Sequence, residues 1–403
     1  MKSNGFTRRV DTLCPRIGQG VGDGEPLVTP LVQSTSYCRE GIGSGAVDSY
    51  SRVSNPTVRV LEKALGDLEE APPAVSFSSG LAAETALFLA LLRSGDHMVC
   101  SRAVYGGTTR LLQQIVAPFG VETSFVDTTR VGAVSAAVRR NTRLIFIETP
   151  ANPTLEVTDI EATAAVAREF GAVLAVDNTF MTGVLQQPLT WGADASVYST
   201  TKWIDGHSAA LGGAVVSRDE KLLERLRFIR KSTGGIQTPF NAWLTVQGLK
   251  TLPLRIRRQS ETAQEVAGWL VEQGGVERVC YPSLHEGPQR AWVEKQHLGW
   301  HGAVVTFEVP GGANAVRAAL GRLRLCRLAE HVGSVDTLVT HPATMTHADV
   351  SREQRELAGL SDGLVRLSVG LEGAGAIVED LGRAWGAIRT RNRKGARACV
   401  SAL

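Results

Sequence analysis

Residues 173–202 read VLAVDNTFMTGVLQQPLTWGADASVYSTTK, and this stretch decides the class of fold. Two short apolar runs, at 173–177 and 196–199, have the length and β-branched content of buried strands. The first run ends on Asp177, and Lys202 follows closely after the second. Ligands of open α/β sheets bind beyond the carboxyl ends of the strands, so both charged side chains lie where a site is expected.

The same alternation continues on both sides of this stretch. Further strands are predicted at residues 74–77, 97–100, 122–126, 144–148 and 211–217. Helices are predicted at 57–70, 81–93, 108–117, 131–139, 160–170 and around 225–231. Residues 7–50 read as an irregular arm, and a helix at 253–273 precedes strands at 303–309 and 364–369. The pattern predicts an α/β fold, with a mostly parallel seven-stranded sheet covered by helices on both faces and a smaller C-terminal α+β domain.

Composition excludes several classes of protein. The chain has 403 residues, of which 43% are hydrophobic and 21% charged, as in globular proteins and unlike disordered, fibrous or membrane proteins. The net charge of +3 gives no electrostatic footprint for a nucleic acid. No apolar run reaches the length of a membrane span. We therefore expect neither a nucleic-acid partner nor a membrane partner.

The cysteines indicate a reducing compartment. Six cysteines are widely and irregularly spaced, and none forms a Cys-x-x-Cys pair. This spacing predicts neither a disulfide framework nor a zinc site. The first ten residues lack the apolar core of a signal peptide. We expect a cytoplasmic protein with reduced thiols and no metal.

The most informative charged residues are Lys202 and Asp177. Lys202 is one of only eight lysines and is flanked by Thr201 and Trp203. In an apolar pocket, or near another cation, the pKa of such an amine falls and the amine becomes nucleophilic. Asp177 closes an apolar run, and burying it unpaired would be costly, so we expect a cationic partner; a helix N-cap is the alternative.

Three other strand ends carry side chains suited to a ligand. A predicted helix begins at Ser78, Gly80 and Leu81, where backbone N–H groups and a hydroxyl would suit a phosphate. The alternative is that the serines only cap the helix. Tyr105 precedes two glycines and could stack on a planar ring or lie on the surface. Asn152 lies between two prolines, which either hold its side chain in place for a ligand or simply form a turn. Pyridoxal phosphate requires an amine, an acid, an aromatic ring and a phosphate cradle together.

Nine motifs extend this pattern over most of the chain. They are YSRVSNPT at 50–57, SSGLAA at 78–83, YGGT at 105–108, ETPANPT at 148–154, DNT at 177–179, STTK at 199–202, GLKTL at 248–252, HPATMTH at 341–347 and RLSVGLE at 366–372. From about Thr29 to about Leu381 the chain resembles the Cys/Met-metabolism enzymes dependent on pyridoxal phosphate, a group that includes cystathionine γ-synthases, cystathionine lyases and methionine γ-lyases.

The resemblance implies fold type I and a division into three parts. Residues 1–55 would form an N-terminal arm that contributes to the neighbouring subunit's site. Residues 56–245 would form the domain that binds pyridoxal phosphate, and residues 246–403 the C-terminal domain. Tyr50 and Arg52 would reach the phosphate of the neighbouring subunit. The minimal active unit would then be a homodimer, usually paired into a homotetramer.

The resemblance also implies roles in binding the cofactor. Lys202 would hold the cofactor aldehyde as a Schiff base, and Asp177 would pair with the ring nitrogen. Tyr105 would stack on the ring and take part in proton transfer. Further contacts to the cofactor would come from Gly80, Leu81, Asn152, Thr179, Ser199 and Thr201.

Other residues would contact the amino-acid substrate. Arg366 would clamp the α-carboxylate, because the guanidinium fork matches a carboxylate better than an ammonium does. Glu330, His331 and Ser334 belong to a segment that borders the substrate in the family. Glu330 matches an acidic position associated with members that handle cystathionine.

The reaction implied is γ-replacement, through a vinylglycine ketimine, on an amino acid with a γ-leaving group. The alternative is γ-elimination of the cystathionine or methionine γ-lyase type, which gives a 2-oxo acid and ammonia. A more remote alternative is a non-catalytic relative that binds pyridoxal phosphate. The intact Lys202, Asp177, Tyr105 and Arg366 argue against that last possibility.

Several positions depart from the usual pattern of the family. They are Ala209, Asn241, Gln247, the pair Trp300 and His301, and His331. His331 stands where a serine is usual. Two interpretations remain open: sequence drift, or a specialised member with an unusual nucleophile or an unusual donor such as S-adenosylmethionine.

Overall fold

The computed structural model describes residues 9–385, except for 44, 46, 274, 347, 349–351, 353, 354 and 356–358, together with residues 397 and 398. These residues form one sheet of seven strands and one of six, with helices packed against them. The predicted α/β fold with a mostly parallel seven-stranded sheet is confirmed.

The first sheet carries five of the nine sequence motifs at the carboxyl ends of its strands. Its strands are β1 (Val75–Phe77), β2 (His97–Ser101), β3 (Glu122–Val126), β4 (Thr142–Glu148), β5 (Val173–Asp177), β6 (Ala195–Tyr198) and β7 (Gly213–Ser217). Their order is β1-β7-β6-β5-β4-β2-β3. The pairs from β6 to β3 are parallel, whereas β7 runs antiparallel to β1 and β6. Residues 199–212 join β6 to β7 without a crossover helix, so Lys202 lies just beyond the carboxyl end of β6.

The helices of this part of the chain alternate with the strands. They are α1 (Pro56–Leu68), α2 (Gly80–Leu91), α3 (Gly106–Arg110), α4 (Val131–Ala137), α5 (Ile160–Phe170), α6 (Thr182–Leu185) and α7 (Glu220–Thr233). The side chain of Asn55 caps α1 by accepting hydrogen bonds from the backbone N–H of Thr57 and Val58 at 2.9 and 3.3 Å, as the Asn-Pro pair predicts. α3 continues into a π-helical segment, Leu111–Val116.

Successive residues of a strand pack against helices on opposite faces of the sheet. In β7, Val215 belongs to the apolar cluster that contains Leu87 of α2, whereas Val216 belongs to the cluster that contains Leu61 of α1. Both faces of the central strands are therefore covered, and only their ends are open to a ligand.

The second sheet has the order β10-β11-β12-β9-β8-β13. Its strands are β8 (Arg278–Cys280), β9 (Val304–Glu308), β10 (Arg327–Leu328), β11 (Leu338–Thr340), β12 (Leu364–Ser368) and β13 (Arg397–Ala398). The accompanying helices are α8 (Pro239–Glu272), α9 (Gly287–Gln296), α10 (Gly312–Leu320) and α11 (Ala374–Trp385). The sequence predicted β9 and β12 but missed β8, β10, β11 and β13, which are too short to show an alternating pattern.

The start of α8 differs from the prediction. The helix begins at Pro239, where Thr238 caps it, rather than at Pro253, which lies inside the helix. The proline removes the backbone donor for the Leu249 carbonyl, yet the helix continues through it, with Leu252, Pro253 and Ile256 buried. The predicted division between the second and third parts, at residues 245 and 246, falls within α8 and stays a prediction.

The described ends of the chain are only partly as expected. Residues 9–13 are helical and Cys14–Arg16 form a 3₁₀ turn, so the arm is not irregular throughout. Its remainder is mostly irregular, with one bridge between Ser36 and Tyr50. The cysteines of the described part are free thiols. Among the described helices, none has the length and apolar character needed to cross a membrane.

Candidate active site

A cavity of about 370 Å³ opens at the carboxyl ends of β4, β5 and β6 and extends towards β12. It gathers most of the residues that the sequence singled out. Those that line it are Gly80, Leu81, Tyr105, Asn152, Asp177, Thr179, Ser199, Thr201, Lys202, Glu330, His331 and Arg366.

Lys202 presents a buried amine to this cavity. Its backbone is fixed by hydrogen bonds from its own N–H to the Ser199 carbonyl at 3.2 Å and from the Gly206 N–H to its carbonyl at 2.7 Å. The side-chain Nζ lies 3.4 Å from Nδ1 of His331. Burial, followed by the positive charge of Arg366, lowers the pKa of Lys202 to about 8. About a tenth of the amine is therefore uncharged at pH 7, far more than for a lysine with its ordinary pKa.

Asp177 lies at the end of β5 and is 8% exposed. One carboxylate oxygen accepts the backbone N–H of Thr179 at 2.9 Å. Burial raises the pKa of Asp177 despite hydrogen bonds from Thr179 that lower it. Within the described residues Asp177 forms no ion pair. The cationic partner predicted for it is therefore not among the described side chains of this protomer, and a cationic ring N–H would fill the place.

Two further buried carboxyl groups share the cavity with Asp177. Glu148 accepts the backbone N–H groups of Tyr105 and Asn152 at 2.7 and 2.8 Å. Burial and the charge of Asp177 raise the pKa of Glu148 well above its usual range, and they raise that of Glu84 to about 8. The sequence identified neither as a site residue. The signal for Glu84 was a carboxylate within the otherwise apolar helix α2.

The first turn of α2 forms a cradle for an anion. Ser79 caps the helix by accepting the N–H of Ala82 at 3.1 Å. The N–H groups of Gly80 and Leu81 lie in the first turn, where a helix offers them no acceptor. A Cβ atom on Gly80 would stand 2.9 Å from Cβ of Ser199, so only glycine leaves this space open. The helix N-terminus also favours negative charge.

Tyr105 and Arg366 border the cavity from opposite sheets. Tyr105 follows β2 and is 39% exposed, and a Cβ on Gly107 would stand 2.4 Å from its ring. Arg366, in β12, donates to Oδ1 of Asn152 at 2.9 Å and to the hydroxyl of Thr340 at 3.0 Å. Its Nε is buried and has no hydrogen-bond partner within the part of the chain that the structure describes. Burial lowers the pKa of Arg366 to about 10, which leaves it cationic at neutral pH.

Three of the predicted site residues do not line the cavity. Tyr50 is 45% exposed, and the guanidinium of Arg52 lies 5.3 Å from the centre of its ring and donates to the Lys231 carbonyl. Ser334 is buried and forms a hydrogen bond with Asp336 at 3.2 Å. Their roles stay predictions, and those of Tyr50 and Arg52 require a second subunit.

Among the departures from the family pattern, His331 alone lines the cavity. Asn241 donates to the carbonyl of Leu211, which does line it, at 3.2 Å. The backbone N–H of Ala209 donates to Asp205 at 3.0 Å, and Nε2 of Gln247 is buried without a partner in the described part of the chain. The pair Trp300 and His301 makes other contacts, to Arg257 and His297.

The residues present fit pyridoxal phosphate. The cavity offers a buried amine with a lowered pKa, a buried carboxylate that lacks a cation, an aromatic ring and a glycine cradle at a helix start. These are the groups that the cofactor requires. The described residues contain no cluster of side chains suited to a metal ion.

Comparisons with known proteins agree with this fit. The model of the family described as Cys/Met metabolism PLP-dependent enzyme matches residues 12–385. The chain is 41% identical over 355 residues to the cystathionine gamma-lyase of Bacillus subtilis (strain 168), covering 88% of this chain and 93% of that protein. It is 41% identical over 386 residues to the O-succinylhomoserine sulfhydrylase of Pseudomonas aeruginosa, covering 94% and 95%.

A solved structure shows the same fold. The crystal structure of cystathionine gamma synthase from Xanthomonas oryzae pv. oryzae in complex with aminoacrylate and cysteine matches with a TM-score of 0.91 and 37% identity. The match covers 94% of this chain and 98% of that one. The chain therefore belongs to the Cys/Met-metabolism family of PLP-dependent enzymes, which act on sulfur amino acids, and its cofactor is pyridoxal phosphate.

Proposed function

We propose that the enzyme catalyses γ-replacement on an amino acid with a γ-leaving group. The observation that carries the proposal is the shared cavity of Lys202 and Arg366, which places a base and a carboxylate clamp on the same substrate. Glu330, exposed at the mouth of the cavity, adds a negative charge where the distal end of a substrate would lie. A donor or product with a distal cationic group is favoured there.

Each residue of the cavity has a defined task in this reaction. Bound pyridoxal phosphate supplies an electron sink for negative charge that develops on the substrate carbons. Arg366 orients the α-carboxylate through its guanidinium fork. Lys202 Nζ, in its uncharged form, takes the proton from Cα and later one from Cβ. Asp177 holds the ring N–H of the cofactor, and the first-turn N–H groups of α2 hold its phosphate.

The alternative is γ-elimination, which gives a 2-oxo acid and ammonia. Replacement and elimination share the early proton transfers and differ in whether a second substrate reaches the γ-carbon before the unsaturated product is released. The chain resembles relatives named for each reaction. The exposed acidic side chain of Glu330 beside the cavity favours a distal cationic group, which cystathionine carries both as the product of replacement and as the substrate of elimination. The measured products therefore decide between the two reactions.

The experiment measures both products from one donor. The holoenzyme is incubated with O-acyl-homoserine, cystathionine, methionine or S-adenosylmethionine, each with and without cysteine. Thioether, 2-oxo acid and ammonia are then measured. With the preferred donor, added cysteine should make a thioether the main product. Persistent release of 2-oxo acid at saturating cysteine would identify a lyase.

Two lysine variants control this experiment. Lys202→Ala should lose both products and the visible absorbance of the bound cofactor. Lys63→Ala removes an exposed lysine that pairs with Asp67 and should behave as wild type. A Lys202→Ala protein with wild-type turnover would refute the role of Lys202.

A further inference from the structure

His331 lies on a segment that is held directly against the loop carrying Lys202. Gly333 has a φ of +85°, and a Cβ there would stand 2.5 Å from the Trp203 nitrogen and 2.8 Å from the Lys202 carbonyl carbon. The N–H of Gly333 donates to the Ser368 hydroxyl at 2.9 Å, and that of Val335 donates to the Gly206 carbonyl at 2.9 Å. These contacts fix the backbone that follows His331 relative to the lysine.

One ring nitrogen of His331 faces the amine of Lys202. Nδ1 of His331 lies 3.4 Å from Nζ of Lys202. Below its pKa of about 8 the lysine carries three protons and can only donate, so Nδ1 is the acceptor and Nε2 carries the ring proton. Nε2 is buried and has no partner among the described residues. The backbone carbonyl of His331 accepts a long hydrogen bond from Arg366 at 3.4 Å, so one residue contacts both predicted reaction groups.

The relative pKa values decide between two roles for this contact. Burial and the charges of Lys202 and Arg366 lower the pKa of His331 to about 4, whereas that of Lys202 is about 8. The pKa of His331 lies below that of Lys202, so the imidazole is neutral when the lysine carries its proton. Of the two roles, proton carrier and hydrogen-bond acceptor, the second fits a neutral imidazole whose Nδ1 lies 3.4 Å from Nζ.

We propose that His331 is a positioning residue, whose Nδ1 accepts a hydrogen bond from Lys202 Nζ and holds the amine over the cavity. The inference rests on the proposed function for the tasks of Lys202 but not on the choice between replacement and elimination. Without the acceptor, the four-carbon stem of Lys202 is free to adopt other rotamers. Fewer of these rotamers would present the amine to the cofactor aldehyde or to the substrate carbons.

Other charged groups also act on the lysine and must be kept constant. Arg366 reaches it from β12. The cavity also contains Glu84, Tyr105, Arg110, Glu148, Asp177 and Glu330, which come from the first sheet, its helices and the segment before His331. Substitutions confined to residue 331 leave all of these groups unchanged.

Two variants test the hydrogen bond itself. In His331→Asn, the amide oxygen takes a position similar to that of Nδ1, whereas His331→Leu keeps the bulk without an acceptor. The full-length protein is stripped of cofactor, and the rate of pyridoxal phosphate recapture is measured from pH 6 to pH 10, with borohydride trapping of the bond to Lys202. This measurement needs no amino-acid substrate. A negative result for the role of His331 is therefore distinguishable from a negative result for γ-replacement.

The proposal predicts different results for the two variants. At pH 10, where the amine is uncharged in every variant, His331→Leu should recapture the cofactor about tenfold more slowly, because the amine is no longer held in place. The midpoint of its pH profile should move down by up to about one unit, because the lost bond stabilised the ammonium. His331→Asn should stay within about threefold of wild type. In turnover, His331→Leu should lower kcat with little change in KM. The proposal would be overturned if His331→Leu recaptured the cofactor at the wild-type rate. It would also be overturned if His331→Asn recaptured the cofactor no faster than His331→Leu.

A third variant guards against misfolding. If His331→Leu does not fold, as judged by circular dichroism, His331→Phe takes its place, because the phenyl ring keeps the shape of the imidazole without a hydrogen-bond acceptor. It should show the same slow recapture as expected for leucine. Recapture at the wild-type rate would again contradict the positioning role.

Discussion

Arg366 and Asn152 are joined across the cavity by a hydrogen bond of 2.9 Å, from the guanidinium Nη1 to the amide Oδ1. Arg366 belongs to β12 of the second sheet, and Asn152 follows β4 of the first. The bond therefore ties the two sheets together at the site. It also orients the guanidinium, whose Nε remains unpartnered, towards an incoming carboxylate.

We predict that Arg366→Lys raises the KM for the amino-acid substrate by about tenfold to a thousandfold. Lysine keeps a positive charge but loses the fork that binds a carboxylate with two parallel hydrogen bonds, and it leaves Asn152 with a weaker partner. Steady-state kinetics at constant cofactor saturation measures the effect. Arg143→Ala, which removes a half-exposed arginine paired with Asp96, is the control and should leave KM unchanged. An unchanged KM in Arg366→Lys would exclude the carboxylate clamp.

We predict that Gly80→Ala weakens cofactor binding by at least about tenfold. The new methyl group would stand 2.9 Å from Cβ of Ser199, so the cradle must widen or the serine must move. Equilibrium titration with pyridoxal phosphate measures the loss. Gly132→Ala, in α4, meets no atom within 4 Å and is the matched control. It should bind normally and gain up to about 1 kcal/mol of stability from helix propensity. Equal affinities for the two variants would refute the cradle at Gly80.

Local signals in the sequence were sufficient for the first sheet. Strands such as β3 and β5 were predicted with the bounds that the structure has, because each is a short segment with β-branched or aromatic residues between turn residues. The proline at 253 was misleading, since a local pattern cannot show that the helix residues around it are buried in the fold. The strand β10 has only two residues and depends on its neighbours for its existence.

Parts of the site could not be predicted either, because they depend on contacts between residues far apart in the chain. Lys202, Asp177 and Gly80 each follow a predicted strand, so their convergence could be inferred from topology. The contact between His331 and Lys202 joins residues far apart in the chain, and no pattern at either position predicts the distance. Glu84 was seen only as an interruption of an apolar run, because its neighbours in the fold come from other strands.

We predict that Glu84 makes the protein without cofactor less stable as pH rises. Burial and the charge of Asp177 raise the pKa of Glu84 to about 8, above its value of 4.5 in the unfolded chain. The folded state therefore holds a proton that the unfolded state releases between these values. Stability is full below about pH 4.5 and falls with pH towards 8, by up to about 1.4 kcal/mol per unit.

The variant Glu84→Gln should abolish this contribution. Its amide keeps an acceptor for the Thr108 hydroxyl, which donates to Glu84 at 2.8 Å, and it cannot ionise. Urea unfolding at pH 5.5, 6.5 and 7.5 should show a growing advantage of Glu84→Gln over wild type. Glu224→Gln, at an exposed position of α7, should show no such trend. A constant difference between Glu84→Gln and wild type across this range would mean that Glu84 is ionised in the folded protein.

Tyr50 and Arg52 lie outside the cavity of their own protomer, so their predicted role can be tested only through a second chain. If Arg52 completes the neighbour's phosphate site, Lys202→Ala and Arg52→Ala homodimers each lack an intact site. A hybrid dimer then has one native site, formed by Lys202 of one chain and Arg52 of the other. Unfolding and refolding an equal mixture should restore about a quarter of wild-type activity, because about half of the dimers are hybrids with one active site each. Separately refolded variants are the control, and a mixture no more active than their average would show that Arg52 serves its own protomer or no site at all.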